Sequence, residues 1–321
     1  YWTDINSMTA DQAAGDGNVY YAISTDDRTT WTVIDNTDGE RDIVRNNAGT
    51  WQYNSNGTYA SETWTNGTTN TELATLAEAM EGAAAVSQQY NISTAVFVDD
   101  FSVAAQDTSP YGFSFSSTGH KMYVVGITND SVYEYALSTN FDISTASYTT
   151  SFSVASQDTL PTDVVLSTDG TKMFVLGDTG NDVNEYTLST AYDVSSASFV
   201  DSFSVSGQES DPWGLAFNPT GTKMFVLGLG TDTVREYTLS TGFDVSTASY
   251  SQGFSVAAQD TIPTGVEFSA DGTKMFVLGN STQDVFEYSL STGFDVSTAS
   301  YVRTFEINIG GVAKVRMNND G

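Results

Sequence analysis

Between residues 152 and 202 the apolar positions fall in short runs separated by polar, turn-forming residues, a pattern that predicts strands rather than helices. Phe152-Ser-Val is a short strand, and Gln157-Asp-Thr-Leu-Pro161 is a loop ended by a proline that cannot donate to a ladder. Residues 163–166 predict an apolar strand, and Ser167-Thr-Asp-Gly170 a turn with glycine available for positive φ. A β-rich run at 172–176 and a turn at 177–181 follow. In a strand at 183–188, Tyr186 and Leu188 share one face, Glu185 and Thr187 the other. A Ser/Thr-rich connection through Asp193 leads to the strand that begins the next unit.

This pattern recurs. Phe-Ser-Val begins at Phe101, Phe152, Phe203 and Phe254, each 51 residues after the last. Pro110, Pro161, Pro212 and Pro263 keep the same step, as do Lys121, Lys172, Lys223 and Lys274, and Glu134, Glu185, Glu236 and Glu287. Four short strands per unit of this length predict an all-β fold, a β-propeller of four-stranded blades, with a stacked solenoid as the runner-up. The units are expected to start at the four prolines. Met122, Met173, Met224 and Met275, or the aromatic residues beside them, are expected to pack between blades, since alternation puts Met on the face opposite Lys. Lys172 and Glu185 flank a turn, so the two ladders read as exposed cross-strand ion pairs of about 0.2–1 kcal/mol each.

The array extends past its clear units. Tyr90-Asn-Ile-Ser-Thr matches Phe141-Asp-Ile-Ser-Thr at the same step, and Gly311–Gly321 aligns with Ile262–Gly272. Either further blades follow, or the N-terminal region supplies strands that close the ring. The domains are expected at 1–89, a β-rich segment, and 90–321, the repeat array. Thr69-x-x-Glu72 is a capping box, and Leu73, Leu76, Ala77, Met80 and Ala84 follow helical spacing, so one short helix is expected near 70–86.

Charge narrows the partners. Lys and Arg number 11 against 40 Asp and Glu, a formal net charge of −29 over 321 residues. Phosphate contacts need basic side chains, so nucleic acid is not expected as a partner. No apolar run reaches the roughly 18 residues that span a membrane, so membrane insertion is not expected. There is no cysteine, which excludes thiolate chemistry and disulfides. The single histidine, His120, lies in a turn where other units carry Thr, and excludes any mechanism that needs two imidazoles.

The chemistry that remains is acidic. The loop before each proline carries Asp107, Asp158, Glu209 or Asp260, each preceded by Gln. In a propeller these acids approach the central channel from every blade, and such a ring could bind Ca²⁺, which takes several oxygen ligands. The plainer reading is that each acid caps its own turn. Just after the prolines, Tyr111, Thr162, Trp213 and Thr264 vary where the frame does not, which marks the channel mouth as the place for a binding face. No phosphate loop, zincin motif or other catalytic signature is present, and none of the 40 acids is singled out as catalytic. The chain is therefore expected not to be an enzyme.

Ser24-Thr-Asp-Asp-Arg-Thr-Thr-Trp31 resembles the Asp-box of sialidase-type propellers, a hairpin-turn device, with Arg28 in place of its Gly. Residues 271–279 (Asp-Gly-Thr-Lys-Met-Phe-Val-Leu-Gly), 285–292 and 294–301 resemble YVTN/lactonase-like propeller repeats, in a variant similar to those of marine bacteriophages and bacteria. No lactonase catalytic residues carry over. Residues 43–54 with Ser61-Glu-Thr-Trp-Thr-Asn66 resemble a segment of marine phage structural proteins. The resemblance implies a tail-fibre-like or decoration component on a virion surface. Its partners would be other virion proteins or copies of itself, and a host surface glycan or protein. A secreted or cell-surface scaffold and an extracellular hydrolase are the alternatives.

Overall fold

The computed structural model describes residues 95 and 97–306, together with the backbone of five strands in the N-terminal part. The chain divides into a unit at residues 1–87 and a unit at 88–321. The first carries one antiparallel sheet of strands β1 (Tyr21–Ile23), β2 (Thr30–Asp35), β3 (Gly39–Arg45), β4 (Trp51–Ser55) and β5 (Thr58–Glu62), in sequence order. The pairing of β1 with β2, Tyr21 opposite Ile34, is the hairpin that the Asp-box-like segment implies. The helix expected near 70–86 and the repeat-like segments at 90–94 and 311–321 lie outside the described residues.

The second unit holds four antiparallel sheets of four strands each, a β-propeller of four blades. Blade 1 comprises β6 (Pro110–Phe115), β7 (Lys121–Gly126), β8 (Ser131–Leu137) and β9 (Ala146–Ser153). Blade 2 comprises β10 (Pro161–Leu166), β11 (Lys172–Gly177), β12 (Asp182–Leu188) and β13 (Ala197–Ser204). Blade 3 comprises β14 (Pro212–Phe217), β15 (Lys223–Gly228), β16 (Thr233–Leu239) and β17 (Ala248–Ser255). Blade 4 comprises β18 (Pro263–Phe268), β19 (Lys274–Gly279), β20 (Asp284–Leu290) and β21 (Ala299–Glu306). Each blade begins at the expected proline. The fourth strand is longer than its Phe-Ser-Val end, because it starts at an alanine that follows a single 3₁₀ turn capped by Asp142, Asp193, Asp244 or Asp295.

The blades stack around an axis and not in a line. Each innermost strand neighbours the next, β6 with β10, β10 with β14 and β14 with β18. Strand alternation supplies both sides of each seam. Phe174, Leu176 and Val183 project from one face of blade 2 onto Met224, Val226 and Tyr237 of blade 3. Phe225, Leu227 and Val234 do the same onto Met275, Val277 and Tyr288 of blade 4. Both the methionines and the aromatic residues beside them are therefore buried, as expected. Phe101 meets Tyr135 edge-on at 5.6 Å, as Phe152 meets Tyr186.

The Lys and Glu ladders are not the exposed pairs expected from spacing. The ion pairs form, at 2.7 Å for Lys121–Glu134, 2.6 Å for Lys172–Glu185 and 2.8 Å for Lys223–Glu236, but the glutamates are buried. Each carboxylate's other oxygen accepts the backbone N–H of the next blade's 3₁₀ turn, from Val194 (3.0 Å), Val245 (2.9 Å) or Val296 (3.1 Å). Each ammonium also donates to the carbonyl of Tyr192, Phe243 or Phe294 in that next blade. Those aromatic residues sit at φ of 58 to 62°, so their carbonyls turn back toward the lysine, and each lies over the positive-φ glycine of its own blade. The pair is a latch between blades. Spacing could place Lys near Glu but could not show the third partner one blade away.

Candidate functional site

The inner strands open with a bulge. Pro161 pairs with Gly177 and Asp163 with Leu176, so Thr162 is an extra residue, and the same shift occurs after Pro110, Pro212 and Pro263. A proline at a strand's first position leaves no donor for the ladder, and a bulge re-aims the side chain that it carries. The four variable residues are those bulge residues. Their variation is therefore structurally permitted, because none of them has to fit a ladder position.

The structure brings two of the four together. Tyr111 of blade 1 and Trp213 of blade 3 meet edge to face, with ring centroids 5.0 Å apart and planes at 80°. Thr162 of blade 2 is fully buried, and its hydroxyl donates to the Pro212 carbonyl at 3.0 Å. Thr264 is buried as well. Tyr111 and Trp213 thus form the mouth, while Thr162 ties the inner strands of blades 2 and 3 together. His120 is exposed in its turn.

The expected ring of calcium ligands does not assemble. Asp107, Asp158, Glu209 and Asp260 are each buried within their own blade. Asp158 accepts the N–H of Leu160 (2.6 Å) and of Gly180 (2.7 Å), so it ties the loop before the inner strand to the turn between the second and third strands. Asp107 makes the same link through Ser109 and Thr128, Glu209 through Asp211 and Gly230, and Asp260 through Ile262 and Thr282. Each carboxylate is thus turned onto backbone amides of its own blade. No group of three or more metal-ligating side chains occurs among the described residues.

Two residues at the mouth escaped the reading of motifs. Asp211, in the loop before β14, accepts the Trp213 indole N–H through Oδ1 at 2.6 Å. The carboxyl of Asp178, in the turn after β11, lies within hydrogen-bonding reach of Asp211 across the seam between blades 2 and 3. Burial and the neighbouring carboxylates Asp211, Asp158 and Glu209 push Asp178 up to about 6. The signal was in the register. At the corresponding positions the seam of blades 1 and 2 carries Ile127 and Leu160, and that of blades 3 and 4 carries Leu229 and Ile262. One seam of three breaks an apolar rule with two acids, and such local exceptions cluster at functional places.

The opposite end of the inner strands holds an open cavity of about 170 Å³. Phe115, Phe217, Phe268 and the phenylalanines two residues ahead of the 3₁₀ turns line it, together with Ser116, Ser167 and Ser269. Its residues repeat from blade to blade and its rings pack on one another, as Phe217 does on Phe243 at 5.7 Å. The mouth, where the frame varies and where an indole, a phenol and two carboxyls converge, is the stronger candidate.

No protein-family model and no curated protein matches the sequence. Solved structures do. A functionally unknown protein from Desulfotomaculum acetoxidans aligns at 10% identity and TM-score 0.43, over 90% of this chain and 80% of that one. A protein from Bacteroides fragilis, provisionally named a 6-phosphogluconolactonase, aligns at 10% identity and TM-score 0.44, over 90% and 81%. Another with that provisional name, from Bacteroides uniformis, aligns at 11% identity and TM-score 0.44, over 90% and 82%. Likeness at this level assigns no activity to the chain. The expectation that the chain is not an enzyme is withdrawn.

Proposed function

We propose that the chain is an attachment or display component of a virion surface, and that the mouth of its propeller recognises a carbohydrate. The observation that carries the reading is the Tyr111–Trp213 pair, brought together from blades 1 and 3, with the indole held by Asp211. Aromatic faces dock on the C–H faces of sugar rings, and carboxylates accept sugar hydroxyls. Tyr and Trp supply broad amphipathic contact at low conformational cost. Support for the virion comes from the phage-like segment at residues 43–66, which we assign to contacts with other virion proteins or with copies of the chain. A net charge of −29 disfavours adhesion to polyanions and leaves neutral glycans as the preferred class.

A second reading, hydrolysis of the bound glycan, is favoured by one feature, a carboxyl pair with one member titrating at about 6. The test covers both. The full chain is screened at pH 5 against immobilised bacterial surface glycans, beside Trp213→Ala and Tyr111→Ala, with product release followed in parallel. Saturable binding weakened at least about tenfold by Trp213→Ala, a change of about 1.4 kcal/mol, is expected. No binding, or binding that both variants leave intact, overturns the glycan reading. Co-purification with phage particles tests the virion.

A further inference from the structure

The cavity at the end opposite the mouth is walled mainly by aromatic rings. Phe115, Phe217 and Phe268 of the inner strands each pack on the phenylalanine ahead of a 3₁₀ turn, with centroids 5.6 to 5.7 Å apart. Ser167 and Ser269 donate their hydroxyls within their own turns, to Asp169 and Asp271 at 2.7 Å. One register position departs from the pattern. The fifth residue of the inner strand is Ser114, Val165 or Ala216 in blades 1 to 3 but Glu267 in blade 4, and all four line the cavity. Glu267 is the only charged side chain among the described lining residues, and its Oε1 accepts the N–H of Phe268 at 3.3 Å. A carboxylate beside apolar rings carries a desolvation cost that Val165 and Ala216 avoid at the same place, and local exceptions of this kind mark functional positions. The surrounding charge has one sign once pairs are counted. Lys172 and Lys223, which donate to the carbonyls of Phe243 and Phe294, are each paired with a buried glutamate, whereas Asp169 and Asp271 add to Glu267. The volume of about 170 Å³ is close to the roughly 150 Å³ that holds benzene in an apolar protein cavity.

We propose that this cavity binds a small organic ammonium ion, with the hydrocarbon body on the phenylalanine rings and the charged head on Glu267. Each alternative ligand meets half of the site badly. A neutral hydrocarbon leaves a carboxylate facing it, and an organic anion meets carboxylates alone. A divalent metal ion takes six or more oxygen ligands, which one carboxylate does not supply. An amine with an apolar body suits both parts, as a lysine side chain does when its stem lies on apolar surface and its head stays with polar groups. The ammonium also gains from the negative faces of nearby rings. Neither Tyr111 nor Trp213 lines this cavity, so the site stands apart from the mouth and from the glycan reading.

The test compares three probes of one shape and different charge. The full chain at neutral pH is titrated with benzylammonium, benzyl alcohol and benzoate, and binding is followed by calorimetry and by the ligands' own NMR signals. Benzylammonium should bind at least about tenfold more tightly than benzyl alcohol, and benzoate more weakly than either. Glu267→Gln keeps the volume of the side chain and removes its charge, so it should bring the amine down to the affinity of the alcohol and leave the alcohol unchanged. Glu267→Val, which installs the residue of blade 2, should do the same, and far-ultraviolet circular dichroism checks that both variants fold. Equal affinity of amine and alcohol in the native chain overturns the proposal. So does an amine preference that survives both substitutions, or the lack of any saturable binding of the amine. Glycan binding at the mouth is read with different probes, so its failure leaves the ammonium site standing and the reverse holds as well.

Discussion

Truncation of a latch glutamate, Glu185→Ala, tests the account of how blades are joined. The carboxylate receives Lys172 Nζ at 2.6 Å and the Val245 N–H at 2.9 Å while only 3% of its side chain is exposed. Removing one partner of a buried pair costs about 3–5 kcal/mol, because the remaining charge is left uncompensated. Lys172 keeps the Phe243 carbonyl at 2.6 Å and is itself partly exposed, which places the expected loss near the lower end, about 3 kcal/mol. For a unit of this size that lowers the melting midpoint by about 6–12 °C. Urea unfolding of the full chain, followed by far-ultraviolet circular dichroism, reads the change; Glu134→Ala serves as a replicate because its contacts are the same, and Glu236→Ala removes in addition an acceptor of the Gln252 amide at 2.9 Å. The double change Lys172→Met with Glu185→Ala should cost less than the sum of the single changes, since the two share one interaction. A loss below about 1 kcal/mol in all three alanine variants is what an exposed pair would show, and it would refute the latch.

Four further outcomes are expected. Gly170→Ala forces an L side chain to φ of 69° and drives a Cβ into the Tyr192 ring, so it should destabilise by about 2 kcal/mol in the same unfolding assay, and an unchanged midpoint would contradict the packing. Burial raises Asp260, but hydrogen bonds from Ser281, Ile262 and Thr282 outweigh it and hold the carboxyl below its usual range; its stabilisation is present above about pH 4 and lost as pH falls through the lowered value, so Asp260→Ala should flatten the acid limb of stability against pH. Asp178 has the opposite sign, since its folded value of about 6 exceeds that of the unfolded chain: stability should fall as pH rises from about 4 to 6, by about 1 kcal/mol after solvent screening, and Asp178→Asn should abolish the slope. Millimolar Ca²⁺ or a chelator should leave the melting midpoint of the full chain unchanged, and a clear upward shift with Ca²⁺ would show a site that carboxylates turned onto their own blades do not predict.

Local chemistry wrote most of the blade into the chain. The prolines at 110, 161, 212 and 263 start strands because they cannot continue a ladder, and the 51-residue register carries Met and Phe to opposite faces whatever surrounds them. Turn glycines such as Gly170 and the acids before each proline act within their own blades, so their roles were open to a reading of neighbours. Contacts between blades were not. Glu185 meets Val245 sixty residues away, and Tyr111 meets Trp213 from two blades off, because rotation about the axis and not spacing along the chain decides which side chains converge. The candidate site fell between the two cases. The register exposed the variable positions, yet only the bulge after each proline and the turn of the blades could bring Asp178 near Asp211 and Glu209 of the next blade and raise its carboxyl.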